Sequence, residues 1–223
     1  MNTEFKKRII TSILLFSLLS AMYFYSFIMI GALIVIAVIV WIEFYALISK
    51  IIRNNKFQDR LFRLISKSIS LLYLSLFVYF VFAIESRYLD LKIYLLYSVL
   101  VAISSDIGGM VFGKTFKGKK LTKISPNKTI SGSIGSFLFS LALIPIFYNE
   151  TIEYDLLTLI MVTVVISLIS QFGDLFISLL KRKAKVKDTS DLLPGHGGLL
   201  DRVDGLIFAA PFGTFLLNFF KLI

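Results

Sequence analysis

The chain has 223 residues, 57% of them hydrophobic and only 17% charged, with a mean hydropathy of +0.84; soluble domains run nearer half apolar and about a quarter charged. The absence of cysteine excludes disulfides and thiolate chemistry, and a single histidine, His196, excludes a histidine-rich metal site. The net charge of +10 is split among short segments between long apolar blocks, a pattern of membrane topology and attraction to anionic lipid that argues against nucleic acid as a partner.

A bilayer core of roughly 30 Å takes about 20 apolar residues per helix, and a chain immersed in it satisfies its backbone only as helices or a closed barrel. The blocks here are long and lack strand alternation. The fold class is therefore read as all-α: a polytopic membrane helix bundle of about seven transmembrane helices. It forms one integral membrane domain over 1–223, with N-terminal helices in 1–90 and catalytic helices and loops in 91–223.

The first block opens at Ile9 behind Lys6, Lys7 and Arg8. It starts like a signal peptide but runs on without a small-residue cleavage site, so it reads as a retained membrane helix. No charge occurs from Ile9 to Ile42, about 50 Å of helix and too long for one crossing. A break near Tyr25–Ser26 gives helices over 9–25 and 27–48. Glu43 then falls near the end of the second, either as a functional intramembrane acid or as a snorkelling side chain. The loop 50–63 carries Lys50, Arg53, Lys56, Arg60 and Arg63 and reads as a topology signal. Further helices are expected over 65–85, 91–112, 131–148, 157–180 and 205–221. With seven crossings every strongly basic segment falls on one side, which the positive-inside rule makes cytoplasmic, together with the N-terminus.

Within 91–112, Asp106 shares a helical face with Gly109 and Gly113. Such glycines permit close helix packing or the approach of a ligand to the backbone, and an aspartate in a membrane helix favours the second. The loop after it, Gly113 to Lys119, has Walker A spacing, but Lys120 follows where Ser or Thr belongs and no strand precedes, which rejects a P-loop. What remains is a lysine-rich run leading to Ser125-Pro126-Asn127-Lys128-Thr129 before a helix start, a suitable set of donors for phosphate oxygens.

In 157–180, Gln171, Asp174, Ser178 and Lys181 lie three or four residues apart on one face, extended by Ser167 and Ser170. A hydrogen-bonded seam would suit the serines and glutamine; it suits an aspartate poorly without a cation. The following segment holds Lys181-Arg182, Lys187-Asp188, Pro194-Gly195-His196-Gly197-Gly198 and Asp201-Arg202-Val203-Asp204. The Pro and glycines force a tight irregular turn, and carboxylates beside a membrane surface suit a hard cation such as Mg²⁺ with phosphate oxygens.

This spacing, from Ser178 through Asp204, resembles the signature of the phosphatidate cytidylyltransferase (CDP-diacylglycerol synthase) family. The resemblance extends to Gly173-Asp174-Leu175, to Asp106 with its glycines and to Ser125–Thr129, about the C-terminal half of the chain; the N-terminal helices match in general character. One departure is Ser131, where the family usually carries Glu. The resemblance implies that Asp174 and Asp201 hold Mg²⁺, with room for a second cation. It implies that Lys128, Lys181 and Arg182 act with them in catalysis. Ser125, Thr129, Asp106, Lys187, Asp188, His196, Gly197, Gly198, Arg202 and Asp204 would form the substrate site, His196 either tying its loop together or protonating the leaving group. CTP, phosphatidic acid and the bilayer are the implied partners, with a homodimer among the assemblies it allows. The implied place is a bacterial inner (cell) membrane, with the site on its cytoplasmic face. Two other readings of the same residues are a kinase of lipid alcohols, which would need a base, and a transporter using Asp106 and Asp174 as an ion path.

Overall fold

The computed structural model describes residues 3–53, 56–88, 91–122, 125, 128–148, 155–195 and 197–221. Within them the regular elements are all helices: α1 (Thr3–Phe24), α2 (Ser26–Ile51), α3 (Phe57–Arg87), α4 (Lys92–Phe116), α5 (Ile130–Leu141), α6 (Ile144–Phe147), α7 (Leu156–Lys183), α8 (Leu200–Val203) and α9 (Leu206–Lys221). Six helical stretches among the described residues are long and apolar enough to cross a membrane: Ser26–Ile51, Phe57–Ser86, Lys92–Phe116, Ile130–Phe147, Leu156–Lys183 and Leu200–Lys221. α1 covers the first predicted crossing. The chain is thus an all-α polytopic membrane protein, as its composition requires.

The predicted break falls at Tyr25, whose φ of −124° and ψ of 103° are extended rather than helical. Other boundaries move. α3 starts at Phe57, so the second half of the expected loop 50–63 is helix. No Gly or Pro interrupts 57–63, and the Arg63 guanidinium turns back to donate to the Ile52 carbonyl just past the end of α2, at 3.3 Å. The expected helix 131–148 is interrupted at Ala142 and Leu143; Pro145 stands in the first turn of α6, where its missing N–H costs nothing.

Two compact units make up the chain: Met1–Glu85 with Leu180–Val203, and Ser86–Leu179 with Asp204–Ile223. In the first, α1 and α8 pack on α2. α2 is also tied to α3: the Trp41 indole donates to the Lys67 carbonyl at 3.1 Å, the Lys67 ammonium lies 3.1 Å over the Tyr45 ring, and Ser26 bonds Glu85. An aromatic pair with a cation above it suits the border between lipid and water.

The core of the second unit gathers Tyr97, Val101, Ile144, Phe147, Leu159, Val162, Ile166 and Leu217 from α4, α6, α7 and α9. The Tyr97 hydroxyl lies 2.6 Å from that of Thr163, and its ring meets Phe147 edge-on at 5.0 Å. α4 and α5 approach until their backbones nearly touch. A Cβ on Gly132 would sit 2.8 Å from the Gly109 carbonyl oxygen, and one on Gly108 would strike the Gly135 carbonyl. Without water or a hydrophobic drive inside lipid, such close approach is what holds two membrane helices together.

Candidate active site

The seam expected along α7 is present and positions a cavity. Ser105 and Ser167 hydroxyls lie 2.9 Å apart, Gln171 donates to Ser167 at 3.4 Å, and Ser133 donates to the Gln171 side-chain carbonyl at 2.6 Å. Ser136 donates to the Ser105 carbonyl at 2.7 Å. These bonds join α4, α5 and α7 below a cavity of about 290 Å³ lined by Asp106, Gly109, Ser125, Lys128, Thr129, Ser133, Gln171, Asp174 and Ser178. The α4 glycines pack against α5, one of the two readings the sequence offered, and Gly109 also lines the cavity.

The loop from α4 to α5 carries its cation into that cavity by backbone bonds. Leu121 donates to the Lys128 carbonyl at 2.8 Å and Ile130 to the Lys119 carbonyl at 3.0 Å, with an antiparallel bridge between Lys120 and Thr129. Thr129 caps α5: its hydroxyl accepts the Gly132 N–H at 3.1 Å, satisfying a donor otherwise orphaned at the helix start. Ser131, at the departing position, bonds the Lys117 carbonyl and lies 2.9 Å from the Thr129 hydroxyl. The Lys128 ammonium is thereby set on the Asp174 carboxylate, the two side chains 26% and 27% exposed. Ser178 donates to the other Asp174 oxygen at 3.3 Å.

A second cluster forms in the first unit. α7 ends where Val186 donates to the Lys181 carbonyl at 3.0 Å, with Lys185 in the left-handed region at φ 57°. The loop that follows turns at a bridge between Leu193 and Gly197, Gly197 having φ 81°. Asp201 closes it. One carboxylate oxygen, Oδ1, takes the Lys181 ammonium at 2.6 Å, the side chains being 12% and 4% exposed. The other, Oδ2, accepts the Thr189 N–H at 2.8 Å and the Gly198 N–H at 3.0 Å, and lies 3.0 Å from the Thr189 hydroxyl, whose one hydrogen it shares with Glu43. Lys181 shares a face with Asp174 by spacing, yet its partner is Asp201.

The predicted residues therefore sort into groups. Asp106, Ser125, Lys128, Thr129 and Asp174 line one cavity in the second unit. Lys181, Gly198 and Asp201 meet in the first. There Gly197 is packed so that an added Cβ would lie 3.2 Å from Asp188 and from Asp201. Arg182, Lys187, Asp188 and Arg202 are exposed. Asp204 is buried at the head of α9, accepting the Gly205 N–H at 2.9 Å. His196 lies outside the described residues.

The sequence left Glu43 undecided, and the structure corrects the snorkelling alternative. Its side chain is 5% exposed and accepts four bonds: from the Thr189 hydroxyl at 2.8 Å, the Ser190 hydroxyl at 2.6 Å, and the N–H groups of Leu199 at 3.0 Å and Leu200 at 2.7 Å. The signal available for it was its standing as the first charge after a run of apolar residues from Ile9.

The sequence model of a family described as "Cytidylyltransferase family" matches residues 1–220. The phosphatidate cytidylyltransferase of Bacillus subtilis is 40% identical over 146 residues, 64% of this chain and 54% of that protein. Proteins of the same name from Staphylococcus haemolyticus and Staphylococcus aureus are 42% identical over 127 residues and 41% identical over 140. These alignments cover 56% and 62% of this chain, and 48% and 54% of those proteins. The chain spans about half the length of the curated relatives it matches.

Proposed function

The chain belongs to the cytidylyltransferase family, and on that premise we propose that it joins CTP to phosphatidate, yielding CDP-diacylglycerol and pyrophosphate. The observation that carries the reading is the cavity of the second unit, which Lys128, Asp106, Asp174, Ser125, Thr129, Ser133 and Ser178 line together. A phosphate oxygen of the lipid attacks the α-phosphorus of CTP. The new P–O bond forms as the bond from the α-phosphorus to the bridging oxygen breaks, and that electron pair leaves with pyrophosphate. A phosphate monoester carries about −1.5 to −2 charges near pH 7, so the nucleophile needs no base. This separates the reaction from a kinase acting on an alcohol.

The barrier is then repulsion between two polyanions and charge gathering on the leaving group, which positioned cations and dipoles lower. Lys128 is the cation that lines the cavity, held at its edge by the Asp174 carboxylate until a phosphate takes its place. The start of α5 beside it, capped by Thr129, faces the same cavity. In the other cluster Lys181 is held by Asp201, and Arg182, Lys187 and Arg202 are exposed to draw anions toward the surface.

Mg²⁺, when bound, neutralises phosphate charge and the charge that develops on pyrophosphate. Asp174 would fit it in exchange for Lys128: the carboxylate opens on a cavity lined with hydroxyl-bearing side chains, and a hard cation takes oxygen donors. Asp201 would fit through Oδ1 alone, in exchange for Lys181, because its other oxygen already accepts two backbone N–H groups and shares the Thr189 hydroxyl. Among the described residues no three His, Asp or Glu side chains gather to hold a metal, so a Mg²⁺ ion here would rely on phosphate oxygens and water for its remaining ligands.

The basic loops support a site on the cytoplasmic face of a bacterial cell membrane, by the positive-inside rule. The test is turnover by reconstituted protein given labelled CTP and phosphatidate, with and without Mg²⁺. Labelled CDP-lipid and released pyrophosphate are expected. CDP with a phosphorylated lipid alcohol would overturn the reading in favour of a kinase. Ion flux without CTP, lost in Asp174→Asn, would favour a transporter.

A further inference from the structure

We propose that Glu43 is a positioning residue for the reaction, acting through the loop 189–200 on Asp201 and Lys181. The inference rests on the functional reading above. Its basis is where the four bonds go. Two donors, the hydroxyls of Thr189 and Ser190, open the loop, and two, the N–H groups of Leu199 and Leu200, end it. One carboxylate on α2 thus gathers both ends of a loop more than 140 residues away in sequence. Leu200 begins α8, and Asp201 is its next residue, so the bond to the Leu200 N–H fixes the backbone from which Asp201 projects. Thr189 makes the link twice over. Its hydroxyl lies within bonding distance of both Glu43 and Asp201, and its N–H donates to Asp201.

Only a carboxylate does this. It offers acceptors at both oxygens, whereas an amide of the same shape has one acceptor and turns two donor hydrogens toward donors. The fit leaves no slack. A Cβ on Gly198 would strike the Thr189 hydroxyl and come within 2.7 Å of Glu43. Groups that orient residues at a reacting centre matter to rate even when they touch no substrate.

The experiment compares Glu43→Gln, Thr189→Val and Thr189→Ser in reconstituted protein. Each is read by steady-state turnover of CTP and phosphatidate and by hydrogen exchange of the amides over 189–200. Glu43→Gln is expected to lower kcat by about tenfold or more, to leave both KM values within about threefold, and to speed exchange over 189–200. Thr189→Val should do the same more weakly, and Thr189→Ser, which keeps the hydroxyl, should match the unaltered protein. An unaltered kcat in folded Glu43→Gln overturns the proposal. So does a lowered kcat with unchanged exchange, since Glu43 would then act elsewhere. If Glu43→Gln does not insert, the Thr189 variants decide, and equal kcat for Val and Ser overturns it. If the unaltered protein consumes no CTP, the functional reading fails, while exchange over 189–200 still shows whether Glu43 holds the loop.

Discussion

The Lys128 ammonium rests on the Asp174 carboxylate, two side chains 46 positions apart in the sequence and each about a quarter exposed to the same cavity. Neither is buried deeply enough for the pair to be a stability device, since exposed pairs contribute little. Its value is placement. Lys128→Met should lower kcat/KM by about 10²–10³-fold, the scale of losing one electrostatic contact to a developing charge. Asp174→Asn should abolish turnover while the protein inserts and purifies normally. Both are measured with labelled CTP and phosphatidate, and full activity in either removes that residue from the chemistry.

Asp201→Asn should behave differently from Asp174→Asn. It also ends turnover, but it removes the acceptor of a nearly buried ammonium and weakens bonds to Thr189 and Gly198. Breaking one side of a buried pair costs about 3–5 kcal/mol. A lowered melting temperature in detergent, beside an unshifted one for Asp174→Asn, is the expected contrast.

Gly132→Val tests the helix contact beneath the cavity. With 2.8 Å available between a Cβ and the Gly109 carbonyl, α5 must move off α4, at a cost of about 1–3 kcal/mol. Turnover should fall with it, because Thr129 and Lys128 lie at the start of α5. An active, normally stable Gly132→Val protein would show that the contact does not set the cavity.

Removal of divalent metal by a chelator should bring turnover to background, with recovery on adding Mg²⁺. Turnover that survives exhaustive chelation would count against a metal role for Asp174.

Lys185 adopts φ 57° at the end of α7, a conformation glycine takes without strain. Lys185→Gly should leave activity unchanged and raise stability by about 0.5 kcal/mol. A lowered melting temperature would show that its long side chain contributes more there than its backbone costs.

Much of this was legible in the sequence because lipid imposes a simple rule: long apolar blocks become helices, and charges inside them need a reason. That rule found Asp106, Asp174 and the break at Tyr25. It failed where local chemistry competes with hydropathy. Gln58-Asp59-Arg60 reads as loop by charge yet forms helix, having no breaker. Pro145 splits an apolar run that periodicity alone would continue. Lys181 has Asp174 one face along on its own helix, but the loop beyond folds back to supply Asp201. Contacts made by a returning loop leave no periodic trace, and for the same reason Glu43 gave no sign of what it holds.

The separation of 157 positions between Glu43 and Leu200 has a bearing on biogenesis. At about 5–20 residues per second the ribosome needs roughly 8–30 s to travel from one to the other. Through that interval α2 has already entered the lipid while the amides that will cover its acid have yet to be made. The clasp therefore shuts late, and a nascent chain stalled short of α8 would carry α2 and α3 with their polar latch still open.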